Sequence, residues 1–585
     1  MSKEVKLGLF NGEDKPTPQI GWEFYQQGVE FNNLVELDET VELNENFYVG
    51  KQWEGVQSNG LPTPVFNFIK RVVGFIVATI TSDNVKVNAS AVAATANTDQ
   101  LFEPVRIVNE EFDALTERNN ITYLIREYAR NAAVDGDGCL YTYWDEDVET
   151  GNNVKGAIKT EIVENTRVFF GNPNDRLVQN QPWIIISTRE FVRDVRRRAK
   201  ANGVDDWELI TSDMNSQSES SKELSSADKC DVLTLFWRDD DSGTIWSYEF
   251  TQNCEVKEPT DLGIRLYPIT WLCWDYVQDS YHGQAMVTGL EPTQIFVNKL
   301  WALTQVSAMR TAYPKIVYDK SRIAHWDNRV GAAIGINGGD INGVATIIDP
   351  ATISPQIFQL IQLAVEQSEQ SLGATAVALG DTRPDNTSAI IALQRAAQTP
   401  SEITKQNLYK SIEDLYRIYL EFMAEYYGER EVDMEPPPEV VQAYQFVGMP
   451  APDQVATPFD FKQLKDHPMT IKLEPGSGAY FNEITAATTL DNLLRLGQID
   501  IVDYLERIPD SAIPQRYALL ERKKQAQQAA QMQQMMMAGG MPGQEGPQGE
   551  QMEPEDNSAV EVRGGRGYNH LAHVINKTGT TEGQV

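Results

Sequence analysis

The stretch from Glu291 to Gly428 most restricts what this chain can fold into, because it sets long helical patterns around a single β-rich insert. Apolar residues recur at helical spacing over 292–312 and again in the segment that ends before Gly373. Ser354 is a favourable N-cap residue and Pro355 fits the first helical position. The second helix is then about 18 residues, or roughly 27 Å, long. The spacing predicts two matched helices with a small β domain at one end, although a helical hairpin of an ordinary α/β enzyme has the same spacing.

Length and charge narrow the class of protein. A chain of 585 residues is too long for one core and predicts two to four domains. The net charge is −34, from 84 acidic and 50 basic residues, which argues against a groove that grips nucleic acid through lysine and arginine. The charge is compatible with a soluble acidic surface, and also with a pore through which DNA slides without tight contacts.

The sequence contains no recognisable catalytic motif. It lacks a phosphate-binding P-loop, a dinucleotide-binding glycine pattern, a zinc-protease helix and a nucleophile elbow. The four cysteines form no CxxC pair, which argues against zinc or thioredoxin-type chemistry. Their wide spacing in so long a chain indicates a reducing compartment. Asp135–Gly138 resembles half of a calcium loop but lacks the later ligands, so we interpret it as a helix-to-strand turn. We therefore expect no enzyme activity, no metal and no cofactor.

Targeting signals are also missing from the sequence pattern. The first residues have no apolar signal core, and the most apolar stretch, 65–80, is interrupted by Lys70 and Arg71. We expect no contact with a membrane, and a protein made in the cytosol and exported only inside a larger particle.

Four local patterns, taken in order, resemble tailed-phage portal proteins, especially those of podovirus-like and related phages. These patterns are Asn46–Trp53 followed by Pro64 and Asn67-Phe68-Ile69; Asp135–Gly138 leading into an aromatic strand; Gln294 and Asn298 followed by Tyr313–Val317; and Leu379-Gly380-Asp381 followed by Asn386–Ala389. Each pattern is weak alone, but the series covers about residues 20–510. The resemblance implies an α+β portal fold with an α/β wing, a two-helix stem, a small α/β clip, a long kinked helix and a helical crown, in a ring-forming subunit.

The resemblance implies a division of the chain. The expected parts are a flexible arm (1–20), a wing that is helical and then β-rich (21–290), stem helix 1 (291–312), the clip (313–352), stem helix 2 (353–373), a tunnel loop (374–387), a long helix kinked at Pro400 with a return to the wing (388–475), a helical crown (476–522) and a Gln/Met/Gly-rich tail (523–585). Independently of the resemblance, the residue patterns predict aromatic strands over 139–144, 168–170 and 183–186, a short basic helix over 191–201, a hairpin that turns at 239–243 and a helix over 501–507.

The same resemblance implies a function and partners. A portal forms a ring, usually of twelve copies, at one capsid vertex of the virion, and it is assembled in the host cytoplasm. Double-stranded DNA passes through its channel without sequence specificity during packaging and ejection. The implied partners are the terminase large subunit, the head-completion or adaptor and tail proteins, and the major capsid and scaffolding proteins.

Site residues are assigned from the implied positions. The expected DNA-channel loop residues are Asp381, Arg383, Asp385 and Asn386. The expected clip residues for docking and contacts between subunits are Tyr318, Trp326 and Arg329. The expected stem-packing residues are Phe296, Leu300, Trp301, Leu303, Ile357, Leu360, Ile361 and Val365. The alternatives are a local core position for Trp326 and a solvated charge for Arg383.

Two other classes of protein stay open from the residues alone. One is a large acidic cytosolic hydrolase or transferase without a recognisable motif. The other is a capsid or scaffolding component, which is disfavoured because a shell subunit has no need of a helical hairpin with a β tip.

Overall fold

Helices and strands are mixed along the chain, which confirms the predicted α+β class. The computed structural model describes residues 10, 16–58, 60–82, 85–91, 98–149, 155–213, 228–313, 315–327, 329, 333–348, 356–371, 401–434, 455–466, 469–475, 489–496, 498–499, 501–508, 519–520 and 522–523. The helices are α1 (Pro18–Leu34), α2 (Leu37–Val49), α3 (Phe68–Ile80), α4 (Thr98–Arg118), α5 (Ile121–Asp135), α6 (Val192–Ala201), α7 (Met286–Ala312), α8 (Gln356–Ser371), α9 (Glu402–Tyr426) and α10 (Ile501–Arg507). The strands are β1 (Val85–Ala91), β2 (Asp137–Glu149), β3 (Lys155–Val163), β4 (Val168–Phe170), β5 (Trp183–Phe191), β6 (Lys229–Arg238), β7 (Ile245–Phe250), β8 (Glu255–Asp261), β9 (Ile269–Cys273), β10 (Lys315–Tyr318), β11 (Ala345–Ile348), β12 (Glu429–Met434), β13 (Val455–Asp460) and β14 (Met469–Pro475).

Every strand pairing is antiparallel. A five-stranded sheet has the order β4-β5-β6-β7-β8, and a three-stranded sheet has the order β3-β2-β9. The remaining strands form three separate pairs, β1 with β14, β10 with β11 and β12 with β13. The hairpin predicted around Asp239–Gly243 is confirmed, and its turn is fixed by the backbone N–H of Ser242, which donates to the Asp239 carboxylate at 2.9 Å.

The largest core gathers around α9. The buried side of this helix carries Leu415, Tyr419 and Phe422, and it packs against α3 and against the three-stranded sheet. The phenol of Tyr419 is fully buried and lies 2.6 Å from the Thr160 hydroxyl on β3, so its polar end is satisfied inside the core. The described part of the long helix starts at Glu402, and the kink predicted at Pro400 falls outside the described residues.

A second core lies between α1 and the five-stranded sheet. Its members include Tyr25 of α1 and Phe169, Trp183 and Phe250 of the strands. Gly28 allows this helix to lie close to the sheet, because a Cβ at that position would come within 2.7 Å of the Phe169 side chain. The aromatic strands predicted for the first half of the chain therefore bury one face under the N-terminal helix.

Residues from 487 onward form a separate unit. Its described part includes α10, which matches the helix predicted over 501–507. The Tyr504 hydroxyl donates to the Asp491 carboxylate at 2.6 Å and so ties α10 to the preceding helical turn.

None of the helices in the described part of the chain is both long and apolar enough to cross a membrane.

Candidate functional site

The candidate site is the helix pair α7 and α8 together with the β10–β11 hairpin between them. Helix α7 begins at Met286, before the predicted start at 291, and Pro292 lies inside it. Its first turns are held by burial of Met286, Val287 and Leu290, and Asn44 of α2 donates to the Thr288 hydroxyl at 3.0 Å. These tertiary contacts stabilise helical turns ahead of a proline that sequence rules place at a helix start.

Both helices have an inner face that packs inside the subunit. Val297 of α7 and Ile361 of α8 are buried in the large core. Four further predicted stem-packing residues, Leu300, Trp301, Ile357 and Val365, are half-buried and pack against the same core. Much of the predicted apolar stripe therefore contacts the subunit's own core.

The opposite face of the pair exposes large apolar side chains. Phe296 is 44% exposed and Leu303 is 63% exposed, one above the other on α7. On α8 the exposed apolar side chains are Phe358, Leu360 and Leu363. With Met309, six large apolar side chains are exposed on these two adjacent helices. Exposed apolar residues on a monomer surface are usually scattered singly, so this cluster indicates a contact surface.

The hairpin β10–β11 extends from this pair and pairs Lys315–Tyr318 with Ala345–Ile348. Val317, Ile347 and Ile348 are exposed, so the hairpin offers apolar side chains to a partner. Within the described residues neither strand pairs with a third strand. A two-stranded hairpin is marginally stable alone in water, because it buries little apolar surface. A hairpin of this kind is suited to pairing with further strands at its edges.

Two of the three residues predicted for the clip, Tyr318 and Trp326, lie in contact in the structure. The rings of Tyr318 and Trp326 stack with centroids 5.3 Å apart. Arg329 is exposed and bonds the Asp327 carboxylate at 2.6 Å, so it lies near that stacked pair in sequence but is engaged locally. The predicted channel-loop residues Asp381, Arg383, Asp385 and Asn386 lie outside the described residues.

A buried amide network ties the helix pair to the N-terminal region. Gln294 is fully buried; its side chain donates to the Phe66 carbonyl at 2.7 Å and accepts from the Phe68 N–H at 3.2 Å. Asn298, 3% exposed, accepts from the Phe66 N–H at 3.3 Å and donates to the Gln52 side chain at 2.6 Å. Two neighbouring amides on α7 thus pair with backbone groups that would otherwise be orphaned at the start of α3.

The hydrogen bonds of this network were not predicted from the sequence, although its residues were singled out. Gln52, Gln294 and Asn298 all belong to the patterns that resemble portals. The signal that could have revealed it is the i, i+4 spacing of two amides on the apolar face of α7, since buried amides require partners. Asn67 of the same N-terminal pattern caps α3, because its side chain accepts a hydrogen bond from the Lys70 N–H at 3.1 Å.

The loop leading into α7 is anchored by a second buried network. His282 Nδ1 lies 2.8 Å from the Asp137 carboxylate, and His282 Nε2 lies 3.2 Å from the side-chain amide oxygen (Oδ1) of Asn32. The Gly283 N–H also donates to Asp137 at 2.8 Å. The motif at 135–138 is therefore a helix-to-strand turn, as predicted, with Gly136 at φ +99° and Asp137 holding the chain that enters α7.

Asp135 in the same turn carries an unusual charge balance. Burial, together with the nearby Glu45 carboxylate, raises the pKa of Asp135 to about 8, although Arg130 at 3.9 Å acts in the other direction. Perturbed carboxyls of this kind can mark catalytic sites, but the charged neighbours of Asp135 are Arg130 of its own helix α5 and Glu45 of α2, which pair with each other.

A cavity of about 790 Å³ lies elsewhere, between α1 and the five-stranded sheet. Asp231 in its wall is bound by Arg189 at 3.1 Å. Burial raises the pKa of the neighbouring Cys230 thiol to about 12, which keeps it protonated and unreactive. Among the described residues, no group of three or more histidines, cysteines or acids is placed to hold a metal ion.

Comparison with known proteins supports the architectural interpretation. A family model described as phage P22-like portal protein matches residues 184–432, a segment that runs from β5 to β12 and contains the helix pair and the hairpin. A search of curated proteins found no match. The matched segment contains the site described above and supports a tailed-phage portal protein, a structural head–tail connector component of the capsid that serves genome packaging.

Proposed function

We propose that copies of this chain assemble into a ring, typically of twelve, whose axis is the channel for double-stranded DNA at one capsid vertex. In this assignment α7 and α8 are the stem, the β10–β11 region is the clip, and 374–387 is the tunnel loop. The observation that carries the proposal is the two-sided character of the stem helices. One side packs into the subunit's core, and the other exposes Phe296, Leu303 and Leu360 to a neighbour.

Energetics support a contact between subunits on the outer side of the stem. Fully burying a leucine or phenylalanine side chain is worth about 1.5–3 kcal/mol. Several such residues on each subunit supply enough apolar burial to offset part of the association cost of about 4–15 kcal/mol. Repeating the contact around a closed ring satisfies every copy equally.

The ring itself is tested by negative-stain microscopy of the purified full-length protein. Wild type is expected to show rings with a central hole. The double variant Phe296→Asp with Leu303→Asp is expected to stay folded by circular dichroism but to lose rings, because charges would enter an apolar contact. A matched control, Tyr123→Asp with Leu209→Asp, replaces equally exposed apolar residues on the wing and should leave rings intact. Monomers of wild type at high concentration, or intact rings in the stem variant, would contradict the proposal.

The clip is proposed to dock the terminase large subunit during packaging and the head-completion proteins afterwards. Support comes from its exposed apolar residues and from the stacked Tyr318–Trp326 pair, since aromatic residues are common anchors of interfaces. Trp326→Ala should reduce capture of the terminase by assembled rings at least tenfold, while Lys320→Ala, an exposed neighbour, should not. Equal capture by both variants would remove the docking role of Trp326.

The channel loop is proposed to act on DNA during packaging and ejection through Asp381, Arg383, Asp385 and Asn386. An acidic lumen would repel phosphates and prevent sticking, and Arg383 would touch them transiently. Asp381→Ala and Arg383→Ala should alter packaging or DNA retention while rings stay intact. Normal packaging and retention in both variants would rule out this role.

The alternative of an acidic hydrolase or transferase gains no support from the cavity between α1 and the five-stranded sheet. Its buried carboxylate is paired with arginine and its thiol is held protonated. The proposed function therefore needs neither a cofactor nor a metal, and its partners are proteins of the capsid and the packaging motor together with DNA.

A further inference from the structure

Helix α6 presents a cationic face on a strongly acidic chain. Within Val192–Ala201 there are four arginines and one lysine against the single acid Asp194. The apolar residues Val192, Val195 and Ala199 are buried beneath the helix. The side chains of Arg193 and Arg197, 88% and 83% exposed, point away from that core.

The cations of α6 divide into committed and uncommitted groups. Arg198 is bound to the Glu190 carboxylate at 3.0 and 3.1 Å, and Arg196 donates to the Ile210 carbonyl at 2.9 Å. These two hold neighbouring elements in place. Arg193 and Arg197 instead share Asp194, at the loose distances of 3.4 and 3.7 Å.

Two electrostatic effects within the helix destabilise the positions of Arg193 and Arg197. Arg193 occupies the first turn, where the positive end of the helix dipole disfavours a cation by about 0.3–1 kcal/mol. Arg193 and Arg197 are also spaced i, i+4, and like charges at that spacing repel. Lys200, near the C-terminal end, needs no such explanation, because a cation is favourable there. Asp194 offsets part of this repulsion, but one carboxylate faces two arginines, so a ligand that neutralises them would stabilise this face of the helix further.

We propose that Arg193, Arg197 and Lys200 form a phosphate-binding ridge that contacts the backbone of double-stranded DNA on a surface of the wing. The three positions lie on one stripe of the helix and span roughly 10 Å at 1.5 Å per residue. Guanidinium groups bind phosphate oxygens in a planar, paired geometry, which suits arginine better than lysine at the two most exposed positions. At the C-terminal end of the ridge the Lys200 ammonium lies over the Trp207 ring, 5.3 Å from its centroid.

The choice of DNA as the polyanion rests on the proposed portal function, whereas the cationic ridge itself does not. Binding at this ridge differs from passage through the channel, because it would hold DNA against the subunit. A ridge with two or three phosphate contacts gives weak, sequence-independent and salt-sensitive affinity. Such contacts would position packaged DNA around the wing without fixing it.

The test measures fluorescence anisotropy of a labelled 30-base-pair duplex of arbitrary sequence with purified full-length protein, between 50 and 200 mM salt. It uses neither terminase nor capsid, so its outcome is independent of the ring and packaging tests above. Arg193→Gln with Arg197→Gln should weaken binding at least tenfold at 50 mM salt and reduce the slope of log affinity against log salt by about two, at roughly 0.9 per lost contact.

Three comparisons make the result decisive. Lys86→Gln with Lys472→Gln removes the same charge from exposed positions of β1 and β14 and should change neither quantity. Arg193→Lys with Arg197→Lys keeps the charge and should retain most of the binding. The proposal is overturned if wild type does not bind duplex at 50 mM salt, or if both glutamine variants lose binding equally. It is also overturned if polyglutamate displaces DNA as well as unlabelled duplex does at equal charge. That last result would identify an acidic protein as the ligand.

Discussion

Removing one side-chain amide from the buried network should weaken the contact between α7 and the N-terminal segment that contains Gln52 and Phe66. Asn298→Ala deletes the acceptor of the Phe66 N–H and the donor to the Gln52 side chain. A buried polar group left without a partner costs about 1–3 kcal/mol, which applies to the buried Gln52 side chain, whereas Phe66 is half-exposed and its N–H can bond water instead. That loss is a substantial part of the roughly 5–15 kcal/mol of a typical domain.

Hydrogen exchange of the segment around Phe66 measures this effect directly. The amide of Phe66 should exchange at least tenfold faster in Asn298→Ala, since each 1.4 kcal/mol of local stability corresponds to a factor of ten. Gln305→Ala removes an exposed amide from the same helix and should leave the exchange unchanged. Trp53 offers a second signal, because its indole N–H donates to the Pro64 carbonyl at 2.9 Å in the same loop.

A double-mutant cycle separates the direct bond from general loosening. Gln52→Ala and Asn298→Ala should show a coupling of about 0.5–3 kcal/mol in the free energy of unfolding, because the two side chains are 2.6 Å apart. Strictly additive effects, or an Asn298→Ala variant as protected as Gln305→Ala, would refute the reasoning that this network holds the stem.

Two further predictions concern the helix-to-strand turn and its surroundings. Gly138→Ala should destabilise the protein by about 1–3 kcal/mol in denaturant unfolding, because the new Cβ would lie 2.7 Å from the Tyr128 ring and 2.8 Å from its carbonyl oxygen. Gly74→Ala in α3 is the matched case with nothing within 4 Å, and should stabilise by about 0.5–1 kcal/mol; equal effects of the two changes would contradict the packing argument. For Asp135, the unfolded carboxyl loses its proton near pH 3.8 and the folded one near pH 8, so the protein is most stable below this window and loses stability as the pH rises through it. Wild type should therefore lose up to about 1.4 kcal/mol per pH unit across that window relative to Asp135→Asn, measured by unfolding at a series of pH values, and parallel profiles would show that Asp135 is not buried as described.

Several elements were predictable because their signals are local. The hairpin at β6–β7 has alternating apolar residues on both sides of an Asp-rich turn, and the turn contact from Ser242 to Asp239 spans three residues. Helix α6 was recognised from its spacing, and α8 from its cap residues. In each case the stabilising interaction lies within a few positions of the residues that reveal it.

Other features depended on contacts distant in sequence. The start of α7 was misplaced because Pro292 signals a helix start locally, while burial of Met286 and the bond from Asn44 to Thr288 extend the helix backwards. The apolar residues of α7 were recognised from the sequence, but which of them face the core was not, since Phe296 and Val297 are equally apolar in sequence.

The sequence by itself determined the element types, the order of helix, β insert and helix, and the resemblance to portals, because periodicity, caps and turn residues are properties of neighbouring positions. Only the tertiary structure decided where α7 begins, which face of the stem stays exposed, and that Gln294 and Asn298 bind backbone groups more than 220 positions away. The physical reason is that burial and hydrogen-bond partners of a side chain are set by the elements packed against it, and those elements come from distant parts of the chain.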